Sequence, residues 1–199
     1  TMDTIGHIME ASKGNYKFSL LPDCIDFCPE VPLQRSKGEG VIWFGHHLNY
    51  HSIKPWILEL RAAGVWTRII SSPEIEKEVE DDRAEFVSFD LSTFIDQLRT
   101  SSVAILSHFG GDPYKSNNKL LTALINGLPC VVSNTEEYAK TLHNCGCHLT
   151  VEENESPLKF VKWAMEADEY HVSTWQRHVW EHYHPKVIAQ QFLSLVGEQ

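Results

Sequence analysis

From Val41 onward, short apolar runs of strand length alternate with stretches that carry apolar residues at helical spacing. Val41-Ile42-Trp43-Phe44 is a continuous apolar run that ends at Gly45, and Ile53, Trp56, Ile57 and Leu60 then mark one helical face, with Gly64 as its C-terminal cap. Residues 65–70 and 86–89 read as two further strands, followed by a helix carrying Leu91, Phe94, Ile95 and Leu98. A strand over 102–106, a helix after Lys115 and a strand over 130–132 continue the series. Asn134 with Glu137 three residues on predicts a capping box and a helix over roughly 135–143. Strands that are apolar throughout belong in a parallel sheet covered on both faces, because an exposed face would demand alternation. The reading is an α/β, Rossmann-like parallel sheet flanked by helices, from about Val41 to Val151, closed by C-terminal helices. Leu158, Val161 and Met165 mark the first of these, and Trp175, Val179 and Tyr183 the next. Pro185 should break the chain there, before a last amphipathic stretch with Phe192, Leu195 and Val196.

The first 40 residues read differently. Phe18-Ser19-Leu20-Leu21 suggests a short strand halted by Pro22, and Pro29, Pro32, Gly38 and Gly40 give the stretch after Asp26 a linker composition. Residues 1–40 are therefore expected to be an extension or linker outside the core of the domain at 41–199. A formal charge of −10 argues against general nucleic-acid binding, though a few local cations can still hold one small anion. No apolar stretch reaches the ~18 residues of a membrane span, and the opening residues carry no signal-peptide pattern. Five cysteines, an odd number, suit a reducing compartment, so a cytoplasmic location is expected.

In an open parallel sheet, ligands sit beyond the carboxyl ends of the strands. Gly45-His46-His47-Leu48-Asn49-Tyr50, the turn around Asp90, and the loop from Ser107 to Asn117 all fall on that rim. The third leads through Lys115-Ser116-Asn117-Asn118-Lys119 into Leu120-Leu121-Thr122-Ala123-Leu124-Ile125, so a helix opens there with cations and small polar side chains. Such a start suits a phosphate, since its first amides are unpaired and the helix dipole favours an anion. Lys115 would supply charge, with Ser116 and Asn117 donating to phosphate oxygens; equally, Ser116 or Asn117 is an N-cap and Lys115 a solvated lysine. His46 and His47 can meet a diphosphate or serve as polar loop residues.

Other motifs carry less. The G-x-G-x-x-G fingerprint, the Walker loop and the G-x-S-x-G elbow are absent from the sequence. His178-Val179-Trp180-Glu181-His182 matches the H-x-x-E-H of inverted zinc peptidases, but the only acid after it is Glu198, so no carboxylate ligand follows on a later helix. His143, Cys145, Cys147 and His148 are spaced too tightly for a usual zinc site, and Cys147 reads as the start of a strand. No metal is expected.

The runs Ile42-Trp43-Phe44-Gly45, Val103-Ala104-Ile105-Leu106, Lys115 to Leu120 and Gly127-Leu128-Pro129-Cys130-Val131-Val132 resemble the C-terminal, donor-binding domain of a GT-B glycosyltransferase of the group 1, family 4 kind. Leu21-Pro22-Asp23-Cys24-Ile25-Asp26 is similar to the segment leading into that domain, and residues 175–196 to the helices that cross back to its partner. The resemblance implies a nucleotide-diphosphate sugar as substrate, with no resident cofactor. It implies diphosphate held by Lys115, Ser116, Asn117 and Gly45, with His46, His47, Asn49, His108 and Asn118 as further donor contacts. His46, His47 or His108 would protonate or stabilise the leaving diphosphate. Retaining members carry two glutamates where this chain has Tyr114 and Thr122. The N-terminal acceptor domain is missing here, so it or a separate partner chain would complete the site. The alternative is a non-catalytic Rossmann-like module for ligand binding or protein association.

Overall fold

A computed structural model describes residues 21–108 and 116–197 of the chain. Among them, six strands form one sheet in the order β3-β2-β1-β4-β5-β6, every neighbouring pair parallel. The strands are β1 (Val41–Phe44), β2 (Thr67–Ser71), β3 (Glu85–Ser88), β4 (Val103–Leu106), β5 (Cys130–Ser133) and β6 (Thr150–Val151). Between them run α1 (Tyr50–Ala62), α2 (Glu76–Asp81), α3 (Phe94–Leu98), α4 (Asn118–Ile125) and α5 (Glu136–Asn144). The chain closes with α6 (Leu158–Glu166), α7 (Glu169–Tyr183) and α8 (Pro185–Gly197). The α/β, Rossmann-like reading holds, with β1, β4 and β5 buried along their whole length. Burying a side chain such as Ile42 or Ile105 contributes roughly 1.5–3 kcal/mol, so these central strands anchor the core.

The topology also creates a crevice. From β1 the chain steps outward to β2 and β3, then returns to the other side of β1 as β4 and moves on to β5 and β6. Crossovers leaving β1 and β4 thus run in opposite directions, and right-handedness puts their helices on opposite faces. The gap between them, at the carboxyl ends of β1 and β4, is where such sheets hold ligands.

Several local expectations change. Gly64 does cap α1: its φ is +78°, its amide donates to the Arg61 carbonyl, and the Val65 amide donates to that of Leu60. Because Val65 is used in that closure, β2 begins only at Thr67. The same closure corrects Cys147: its amide donates to the Leu142 carbonyl at 2.8 Å, ending α5, so it does not start a strand and β6 begins at Thr150. The capping box at Asn134 is absent. Its side-chain amide goes to Glu152 at 2.7 Å and its backbone to Val151, leaving Thr135 as the N-cap of α5. Asn134 is held by the end of β6, and the helix starts one residue later than a box requires.

Residues 21–40 are not outside the core. Ile25 is only 2% exposed and belongs to it, while the amides of Leu33 and Ser36 donate to the carbonyls of Ile125 and Gly127. The Ser36 hydroxyl reaches the carbonyls of Arg99 and Ser101, both at 2.7 Å. Proline and glycine deny this segment regular structure, so its backbone groups are satisfied by the domain it crosses. The strand expected at 18–21 rests mostly on residues outside those described; Leu21 itself is in no strand. α6 buries Val161 and α7 buries Trp175 and Val179 as expected, and Pro185 opens α8 after the break at His184, but Phe192, Leu195 and Val196 on α8 are exposed. Among the described residues, no helix is long and apolar enough to cross a membrane.

Candidate functional site

β1 delivers Gly45 and His46 to the crevice, and at Gly45 backbone and side chains approach closely. A Cβ at that position would lie 3.0 Å from the Trp43 ring and 3.3 Å from Lys119 Nζ. Glycine there lets the ammonium of Lys119, from the first turn of α4, come up against the strand end, with its nitrogen 5.6 Å from the centre of the Trp43 ring. Helical side chains lean back toward the N-terminus, which is why the second residue of α4 projects onto the rim.

Around this pair lies a cleft of about 310 Å³. Phe44, Gly45 and His46 line it from β1, Ser72 from the end of β2, and Phe89 and Phe94 from the ends of β3 and the start of α3. Lys119 and Thr122 close it from α4, and Asp26 and Phe27 from the N-terminal segment. The aromatic side packs as a cluster on Phe94, with ring centres at 4.8 Å for Phe27, 5.3 Å for Phe44 and 5.4 Å for Phe89. One wall is thus aromatic and apolar, and the other presents an ammonium, an imidazole and the opening turn of a helix. Asp26 also accepts a hydrogen bond from the Asn118 side-chain amide at 2.7 Å, tying the segment to the mouth of α4.

The sequence-derived candidates separate into groups. Gly45 and His46 line the cleft. His46 Nδ1 accepts from the Leu48 amide at 3.3 Å, capping the short turn His47–Asn49 that leads into α1. His47 stacks on His46 at 4.2 Å and pairs through Nδ1 with Ser72 Oγ at 2.9 Å, with the Glu74 carboxylate 3.7 Å away. Hydrogen bonding from Ser72 holds that carboxyl below its ordinary range. Asn49 serves as the N-cap residue of α1, its amide donating to the His46 carbonyl.

Ser116 is exposed ahead of α4. Asn117 is the N-cap residue, yet its side chain makes no capping bond and instead donates to Thr141 Oγ1 at 2.7 Å in the interior. Asn118 donates to Asp26, and its Oδ1 is buried without a partner. His108 is 5% exposed, with Nε2 against the Tyr138 hydroxyl at 2.7 Å and its amide on Ser133 Oγ at 3.0 Å. It lies under the rim against α5 rather than among the residues lining the cleft. Lys115 and Tyr114 fall outside the described residues.

Sequence reasoning passed over Lys119, Asp26, Ser72 and Phe89 as site residues. Ser72 and Phe89 immediately follow β2 and β3, so their place at strand carboxyl ends was the available signal. The histidine motif of α7 shows stacked rings, His178 on His182 at 4.1 Å, with His182 Nδ1 on the His178 carbonyl at 2.9 Å. Among the described residues, no group of three or more His, Cys, Asp or Glu side chains is arranged to hold a metal. Cys145 and Cys147 are buried thiols whose pKa values burial pushes up to about 12, which favours the protonated form.

No protein-family model matches the sequence, and no curated protein matches it either. Solved structures do match the fold. AviGT4, a glycosyltransferase involved in avilamycin A biosynthesis, superposes with a TM-score of 0.66 at 12% identity over 94% of this chain and 59% of its own. HepE of Anabaena, solved with UDP-glucose, gives 0.64 at 13% identity over 81% of this chain and 49% of its own. WaaG, a glycosyltransferase of lipopolysaccharide biosynthesis, gives 0.61 at 13% identity over 90% and 56%. The chain spans about half the length of these enzymes, and its fold is that of the C-terminal domain of GT-B glycosyltransferases.

Proposed function

We propose that the chain is the donor-binding half of a glycosyltransferase and holds a nucleotide-diphosphate sugar in the cleft between the carboxyl ends of β1 to β3 and the opening of α4. The observation that carries this reading is the approach of Lys119 to Gly45 at the opening turn of α4, where an ammonium and the positive end of the helix dipole share one rim. The base would lie on the aromatic wall of Phe27, Phe89 and Phe94, and the diphosphate would turn toward α4. Lys115, Ser116 and the backbone of Asn117 would complete the phosphate contacts, with His46 and His47 beside them. When the bond from the anomeric carbon to phosphate breaks, negative charge grows on the departing diphosphate. Lys119, the helix amides and the Nε2–H of His46 would offset that charge. The complex of HepE with UDP-glucose supports a donor of this class.

The acceptor and the second wall of the cleft would come from a further Rossmann-like domain or a separate partner chain. Exposed Phe192, Leu193, Leu195 and Val196 on α8 support that, as apolar surface of this kind wants a partner. The same face favours the second reading, a protein-association module without catalysis. Titrating the chain with UDP, GDP and ADP separates the two. Saturable binding of one nucleotide, weakened about tenfold or more by Lys119→Ala, supports the donor site. An absence of binding by all three favours the association module.

A further inference from the structure

At the opposite end of the sheet from the donor cleft lies a second concavity of about 420 Å³. Its floor is Cys147, Leu149 and Trp175, from the segment that precedes β6 and from α7; one wall is Trp163 on α6. Trp175 is 7% exposed, but Trp163 is 55% exposed and held in place from behind. Phe160 meets it edge-on at 5.5 Å and 77°, and Lys159 lies 5.9 Å from its ring. A large indole left in water beside a concavity costs hydrophobic free energy, and a site of this size falls in the range of small-molecule pockets.

The polar groups around the indole select the occupant. Glu166, His148 and His171 are exposed on the rim. Asp168 accepts from the His171 amide at 3.0 Å and pairs with His171 Nδ1 at 2.7 Å, capping α7 and fixing the imidazole so that Nε2 is the ring nitrogen left to a ligand. The lining contains no Lys or Arg and has a carboxylate in Glu166, which disfavours phosphate. A carboxylate beside imidazoles offers acceptors and donors suited to hydroxyl groups. A flat indole with hydrogen-bonding groups at its edge matches a ring with apolar C–H on one face and hydroxyls around its rim.

We infer that this concavity is a second binding site, for one or two rings of a neutral saccharide, with Trp163 as the stacking platform and Glu166 and His171 as hydrogen-bonding groups. It stands on its own lining and does not depend on the donor reading. The test is titration of the full chain with maltotetraose, cellotetraose and chitotetraose. Tryptophan fluorescence and saturation-transfer NMR would be read to ~10 mM, ten times a millimolar dissociation constant. At least one saccharide should saturate, with affinity about tenfold weaker in Trp163→Ala, reduced in Glu166→Ala and unchanged in Lys119→Ala. No saturation by any of the three, or equal binding by folded Trp163→Ala and Glu166→Ala, overturns the inference. Concentration-dependent self-association lost in Trp163→Ala, with no saccharide binding, would also overturn it and make this face a protein interface.

Discussion

The Asn118 side-chain amide donates to the Asp26 carboxylate at 2.7 Å, joining the mouth of α4 to a segment 92 residues earlier in the chain. That bond makes the N-terminal segment a wall of the cleft. Asp26→Ala should lower stability by only about 1 kcal/mol, because the pair is exposed, yet it should weaken nucleotide binding more than that loss implies. Urea unfolding and nucleotide titration of the same variant check the two parts.

Ile25 tests the same segment from its buried side. Its side chain is part of the core, so Ile25→Ala should cost about 2–5 kcal/mol in equilibrium unfolding. A cost below about 0.5 kcal/mol, the level of a surface substitution, would detach the segment from the domain.

Two helix-capping glycines separate conformational strain from contact. Gly127 has φ +85° and an added Cβ would lie 2.2 Å from the Gln34 carbonyl; Gly64 has φ +78° and nothing within 4 Å. Gly64→Ala should cost roughly 1–2 kcal/mol from the left-handed backbone alone. Gly127→Ala should cost roughly 2–4 kcal/mol, since the Gln34 backbone of the N-terminal segment must also move. Thermal unfolding of both variants, side by side, gives the comparison.

His178 gives the stability a pH dependence. Burial first, and then the neighbouring His182, lower its pKa from the ordinary 6.5, with Glu181 opposing. The unfolded chain therefore takes up a proton that the folded chain resists, so this contribution to stability is intact above about pH 6.5 and is lost as pH falls below it. The melting temperature should be lower at about pH 5.5 than at about pH 7.5, and His178→Gln should reduce the difference.

The sheet was legible because β1, β4 and β5 are buried on both faces and so read as unbroken apolar runs. Boundaries shifted where a capping closure used residues that look strand-like, as at Val65 and Cys147. Residues 21–40 misled because proline and glycine describe a loose linker and a strap over a domain equally well. Only tertiary bonds such as Ser36 to Arg99 and Ser101 separate the two. The helix start at 115–119 was legible as a phosphate-suited element, but which cation meets Gly45 depends on helix phase and on the missing Cβ. Asn117 turned inward because Thr141, on a helix distant in sequence, offers its hydroxyl to the amide.

The central claim is that this half holds a nucleoside diphosphate between the aromatic wall and α4. Calorimetric titration of UDP, GDP and ADP into the parent chain, Lys119→Ala, Lys115→Ala and Phe89→Ala tests it most directly. One nucleotide should bind the parent saturably, and Lys119→Ala and Phe89→Ala should each weaken it by about tenfold or more while remaining folded. Lys115→Ala should weaken the diphosphate more than the corresponding nucleoside. No binding to the parent, or equal binding by Lys119→Ala and Phe89→Ala, would contradict the donor site.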